Sequence, residues 1–239
     1  MAACRSQRGG RWQFGDVSGE EIEVQPYYDG LRLTVDGVVY PYLSDAWQGL
    51  GDRELTLGPV TMSSLRISRR VYLPSSGGYT RLLETLSNTT PGAITVSINI
   101  GGTYGEPHPL LPIAPTQNGG RFAVQASAQS GLPIAVGAAG YVFGGAGAPG
   151  PTVVNFAAGQ NTFGWRWNVT VPAGQQVSFL EFIVVHPASD ENGVETEVNQ
   201  LTNAAQSGMF DGLSPTDRSA IKNFSVPGQF WTRANSQGV

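Results

Sequence analysis

From Ser64 to Pro74 the chain alternates with period two. Leu65, Ile67, Val71 and Leu73 fall on one side of an extended strand, and Ser64, Arg66, Ser68 and Arg70 on the other. No helix can bury that pattern on one face. The same period returns at Ile94, Val96, Ile98 and Ile100, spaced by Thr95, Ser97 and Asn99, and again at Phe163, Trp165, Trp167, Val169 and Val171. Arg69 interrupts the first apolar face, so it must reach a sheet edge or pair with a carboxylate. "VSFLEFIVV", Val177 to Val185, is apolar on both faces except at Glu181, which predicts a central strand covered on both sides. Weaker strands are expected at Leu31–Val35, Val38–Leu43, Phe122–Ala126, Gly140–Phe143 and Thr152–Phe156.

Turn chemistry separates these runs. Asn88-Thr89-Thr90-Pro91-Gly92 is a turn in which Pro fixes φ and Gly accepts positive φ. Asn168-Val169-Thr170-Val171-Pro172-Ala173-Gly174 repeats the device, and both read as hairpins. Helix is expected only near the end. Val194, Val198, Leu201 and Ala205 recur at helical spacing with Gly208 as the stop, and Ser214-Pro215-Thr216-Asp217 matches an N-cap, a first-turn proline and a capping-box acid. The fold class is therefore all-β: a large antiparallel β-sandwich with two short C-terminal helices. Residues 1–19 are expected as a flexible segment, and 20–239 as one sandwich domain with a helical region at about 190–224.

Composition narrows the function. The 32 glycines and 16 prolines fit many short strands joined by turns, and 40% apolar residues argue against disorder. A net charge of −4 offers no basic field to a phosphate backbone, so nucleic acid is an unexpected partner. The most apolar stretch, Gly131 to Gly150, is broken by Pro133, Pro149 and several glycines, so no transmembrane span is expected. Cys4, the single cysteine, follows Met1-Ala2-Ala3 in the manner of a lipoprotein acylation site, which makes it a candidate lipid anchor.

"GDRELTLGP", "LRISRRVYLPSSGGYTRLLETLSNTTPGAITVSINI", "WRWNVTVPAGQQVSFLEFIVV" and "FDGLSPTDRSAIKNF" occur in one order along the chain. Together they resemble an uncharacterised β-rich module of large secreted or surface bacterial proteins, with a supersandwich fold like the galactose mutarotase-like family. The resemblance covers roughly residues 25–226. It implies a fold and an extracytoplasmic setting, and it carries no catalytic signature.

Candidate chemistry is sparse. If the chain is an enzyme, a histidine acid with a carboxylate base would come from His108, His186, Glu106 and Glu181, with Glu84 as a further acid. Glu181 and His186 are five residues apart on one strand, however, so they point to opposite faces roughly 16 Å apart. The ligand spacing of a zinc site and the ordered oxygens of a calcium loop are both missing, so neither metal nor cofactor is expected. Trp165 and Trp167 are expected in the core, whereas Tyr27, Tyr28, Tyr40, Tyr42 and Trp47 could stack on sugar rings. The expected function is a non-catalytic extracytoplasmic structural or adhesive module, with glycans or other surface proteins as partners. The alternative is a carbohydrate-binding module or a carbohydrate-active enzyme on the same scaffold.

Overall fold

In the computed structural model the described residues are 31–41, 47–50, 53–75, 77–103, 110–126, 138–156, 162–186 and 190–226, with three short strands before them. Those three, β1 (Arg5–Gln7), β2 (Arg11–Gly15) and β3 (Glu21–Ile22), pair only with one another. The remaining strands form an antiparallel sandwich. Its smaller sheet has the order β14 (Val153–Phe156), β15 (Thr162–Val171), β10 (Ile94–Thr103), β4 (Arg32–Val35) and β5 (Val38–Val39). Its larger sheet has the order β11 (Leu110–Ile113), β12 (Phe122–Ala126), β13 (Ala138–Val142), β16 (Gln176–His186), β9 (Tyr79–Ser87), β8 (Leu65–Tyr72), β7 (Glu54–Met62) and β6 (Trp47–Gly49).

Period-two alternation decides which face goes where. Leu65, Ile67 and Val71 of β8, Ile98 and Ile100 of β10, and Trp165 and Trp167 of β15 all point between the sheets into one core. The even positions of β16, Leu180, Phe182 and Val184, face the other way into a second core. Val194, Val198 and Leu201 of helix α1 (Glu191–Thr202) and Ile221 and Phe224 complete that layer. β16 is thus covered on both sides, as its unbroken apolar run requires. α1 lies close over β13 because Gly140 has no side chain; a Cβ there would run into Val198.

Two expectations need correction. The turn after β9 does not close a hairpin, because β9 belongs to the large sheet and β10 to the small one. The turn between β15 and β16 crosses between the sheets in the same way. The two crossings lie side by side, since β9 pairs with β16 and β10 with β15. Turn residues report a reversal of direction and carry no information about whether the next strand pairs in-plane or crosses the core. The second correction concerns α1, which ends at Thr202, with Ala204 in the left-handed region at φ 53°, before Gly208 is reached. The helix α2 (Pro215–Ala220) begins as expected, with Ser214 and Asp217 capping each other.

Asn88 joins the two crossings. Its buried Nδ2 donates to Gly92 O at 2.7 Å and to Val171 O at 2.9 Å, while Oδ1 accepts from Thr90 N at 2.9 Å. Its backbone N–H donates to Gln175 O at 2.9 Å. Asn88→Ala would strand these buried backbone groups, and we expect a loss of about 2–4 kcal/mol in urea unfolding. A loss under about 0.5 kcal/mol, the ordinary surface value, would refute this linking role.

A second asparagine closes the large sheet. β13 pairs with β16 only from Phe182 onward, leaving the preceding edge open. Ile221 forms a parallel bridge to Ser178, and Lys222 N donates to Ser178 O. Asn223, fully buried, then donates to Leu180 O at 2.6 Å and Phe143 O at 3.1 Å and accepts from Leu180 N at 2.9 Å.

Candidate functional site

Charged side chains gather in three places, and each follows from strand register. The first lies between the sheets. Arg69 and Glu84 are direct partners across β8 and β9, and both point inward. Arg69 Nε donates to Glu84 Oε1 at 2.6 Å, and Nη1 donates to Leu31 O at 2.7 Å. This settles the interruption in the apolar face of β8: Arg69 pairs with a carboxylate. One strand further, Glu181 Oε1 accepts from Trp165 Nε1 at 3.1 Å. Four polar atoms of this group have no hydrogen-bond partner: Tyr40 Oη, Arg69 Nη2, Glu84 Oε2 and Glu181 Oε2.

Burial pushes both carboxyls up. The Arg69 guanidinium pulls Glu84 back toward its ionised form. Glu181 has no cation in contact, and burial together with the charge of Glu84 pushes it up to about 8. The Arg69 ion pair thus favours Glu84 as the anion of the two, and Glu181, with no cation in contact, is the neutral acid at pH 7. Tyr40 is pushed up to about 12, chiefly by burial and then by Glu84.

The second gathering is on the helix side, at the end of β16. His186 Nδ1 meets Asp190 Oδ2 at 2.7 Å and Nε2 meets Glu197 Oε2 at 2.8 Å. Each carboxylate also holds backbone: Asp190 Oδ1 accepts from Gly193 N at the start of α1, and Glu197 Oε1 accepts from Gly78 N. Burial alone would lower the His186 imidazole, but the hydrogen bonds to Asp190 and Glu197 outweigh it and raise its pKa.

The third ties the segment after α1 to the same sheet face. Glu54 bridges Arg70 at 2.9 Å and Arg81 at 3.2 Å, and Arg70 reaches Asp217 of α2 at 2.9 Å. Arg81 lies 4.3 Å from the Tyr72 ring centroid and donates to Met209 O and Asp211 O.

The structure thus separates Glu181 and His186 onto opposite faces of one strand, as their odd spacing requires. Tyr40 is corrected: it is a core residue near Glu84 rather than a sugar-stacking platform, because its backbone N–H donates to Leu33 O of β4 and its ring packs into the core between the sheets. Trp165 and Trp167 are core, as expected. Cys4, Tyr27, Tyr28, Tyr42, Glu106 and His108 lie outside the described residues, and of Trp47 only its place at the start of β6 is described. Sequence reasoning missed Asp190 and Glu197 as the partners of His186. The spacing of four between His186 and Asp190 was available, but it spans a strand-to-helix junction where neither period applies. Among the described residues, no group of three His, Cys, Asp or Glu side chains is arranged to hold a metal ion, and no helix is long and apolar enough to cross a membrane.

Both ring nitrogens of His186 are engaged, and Glu181 is sealed between two sheets.

No protein-family model and no curated protein matches the chain. Among solved structures, it is similar to the heparan sulfate lyase HepC of Pedobacter heparinus at 10% identity and a TM-score of 0.45, over 74% of this chain and 30% of that one. A polysaccharide lyase is similar at 10% identity and a TM-score of 0.43, over 80% of this chain and 33% of that one. The chain spans about a third of the length of each.

Proposed function

We propose that this chain is a non-catalytic structural or adhesive β-sandwich module of an extracytoplasmic bacterial surface or secreted protein. The observation that carries the reading is the use made of its ionisable side chains. Arg69 and Glu84 are consumed inside the sandwich, His186 is held by Asp190 and Glu197, and Glu54, Arg70, Arg81 and Asp217 fasten the C-terminal segment. An enzyme needs at least one such group turned toward a substrate. Among the described residues, each of the groups just named carries part of the frame.

The test is turnover by the purified chain. Aldose mutarotation and a panel of neutral and acidic polysaccharides are followed by polarimetry and by release of reducing or unsaturated ends. No turnover above buffer is expected. Turnover abolished by His108→Ala or Glu106→Gln would overturn the reading in favour of a carbohydrate-active enzyme. Retention on a glycan array without turnover would favour a carbohydrate-binding module instead, with Tyr27, Tyr28 and Tyr42 the first residues to replace. Surface placement is tested separately, by protease accessibility of the tagged protein on intact cells; protection there would remove the extracytoplasmic assignment.

A further inference from the structure

We infer that His186 is a proton-dependent latch that fastens helix α1 to the sandwich. The geometry is specific. One imidazole at the end of β16 spans two carboxylates of the segment that it anchors, at 2.7 and 2.8 Å. Those carboxylates reach on to two backbone sites, the first turn of α1 at Gly193 and the chain entering β9 at Gly78. Strand, helix start, helix middle and a second strand therefore meet at one ring.

Only the imidazolium satisfies this arrangement, because it donates from both nitrogens. A neutral ring donates from one and turns a lone pair toward the other carboxylate. Deprotonation thus breaks one arm and replaces attraction with repulsion there. The charged groups that act on the ring, among the described residues, are Asp190 and Glu197 of the α1 segment, and Tyr79 of β9 is the titratable group near Glu197. The Tyr79 hydroxyl donates to Ser207 O. β13 brings only Tyr141, which sits in the other core. The surroundings are acidic, so they favour the proton.

The sign follows. A histidine whose folded pKa is raised contributes its stability below the unfolded value, and that contribution is lost as pH rises through the folded value. The Asp190 carboxyl is held low by its hydrogen bonds to His186 and then to Gly193 N, so its contribution is lost as pH falls below the ordinary carboxylate range. The latch is closed between these limits and slackens as the medium turns alkaline. What it covers is apolar: Val194 and Val198 lie on Val184, Ala138 and Gly140.

The experiment is a pH titration of the intact chain by NMR. With two histidines in the sequence, the His186 ring signal is assigned by its loss in His186→Gln. The midpoint of His186 is expected above that of the same residue in denaturant, and Glu197→Gln is expected to lower it. Amide protection of Val194 to Leu201, normalised to intrinsic exchange, is expected to fall through that midpoint while protection of Phe179 to Ile183 holds. A midpoint at or below the denatured value would overturn the latch. So would helix protection that is unchanged across the midpoint. Should His186→Gln fail to fold, a midpoint and helix protection that move together in the wild-type titration still support the latch, and independence still refutes it.

Discussion

Arg69→Met is expected to cost about 3–5 kcal/mol of folding free energy, the largest effect of any single substitution considered for this chain. The methionine fills much of the same volume, so little of that loss is packing. It arises because Glu84, wholly buried, loses the one cation in contact with it among the described residues and keeps an oxygen that already lacks a donor. The double replacement Arg69→Met with Glu84→Leu is expected to recover most of the loss, since no charge is then left in the core. Urea unfolding of the two single variants and the double variant measures this directly. A double variant as unstable as the sum of its parents would mean that Arg69 and Glu84 are not coupled, and would overturn this account.

Glu181→Gln is expected to stabilise the protein at neutral pH, which is unusual for a core substitution. The Glu181 carboxyl is pushed from its ordinary value of 4.5 up to about 8, so the folded state retains a proton that the unfolded chain releases. Stability therefore falls as pH rises from about 4.5 through about 8. A glutamine has the shape of the neutral acid and keeps the acceptor for Trp165 Nε1 without needing that proton. At roughly 1.4 kcal/mol per pH unit, the gain is at most about 3 kcal/mol at pH 7 and close to zero at pH 4. The difference between variant and wild type isolates Glu181 from His186, which acts in the same direction but is common to both proteins. A pH-independent difference would show that Glu181 is not the group being protonated.

These two effects mark where the sequence could and could not be read. Period two placed Leu65, Ile67, Val71, Trp165 and Trp167 correctly in the core, because a sheet face is a property of parity along one strand. The same parity separated Glu181 from His186 and required a partner for Arg69. Which partner it took depends on register between β8 and β9, a relation across 15 residues that no local pattern records. The crossings at Asn88–Gly92 and Pro172–Gly174 were misread as hairpins for a related reason. Sheet membership is decided by β10 meeting β15, two strands roughly sixty residues apart. Tyr40 went astray through composition: clustered tyrosines look like a binding surface until the fold packs one of them between the sheets.

The open edge of β16 has a consequence for the order in which the chain is made. Residues Gln176 to Glu181 leave the ribosome with one side paired to β9 and the other unpaired, and they wait for Ile221, Lys222 and Asn223, some forty residues later, to occupy that side. During synthesis, this apolar central strand presents a bare ladder of N–H and C=O groups to any neighbouring nascent chain. Asn223 is thus a late seal, and its loss would lengthen the interval in which the half-made sheet can recruit a strand from the wrong molecule.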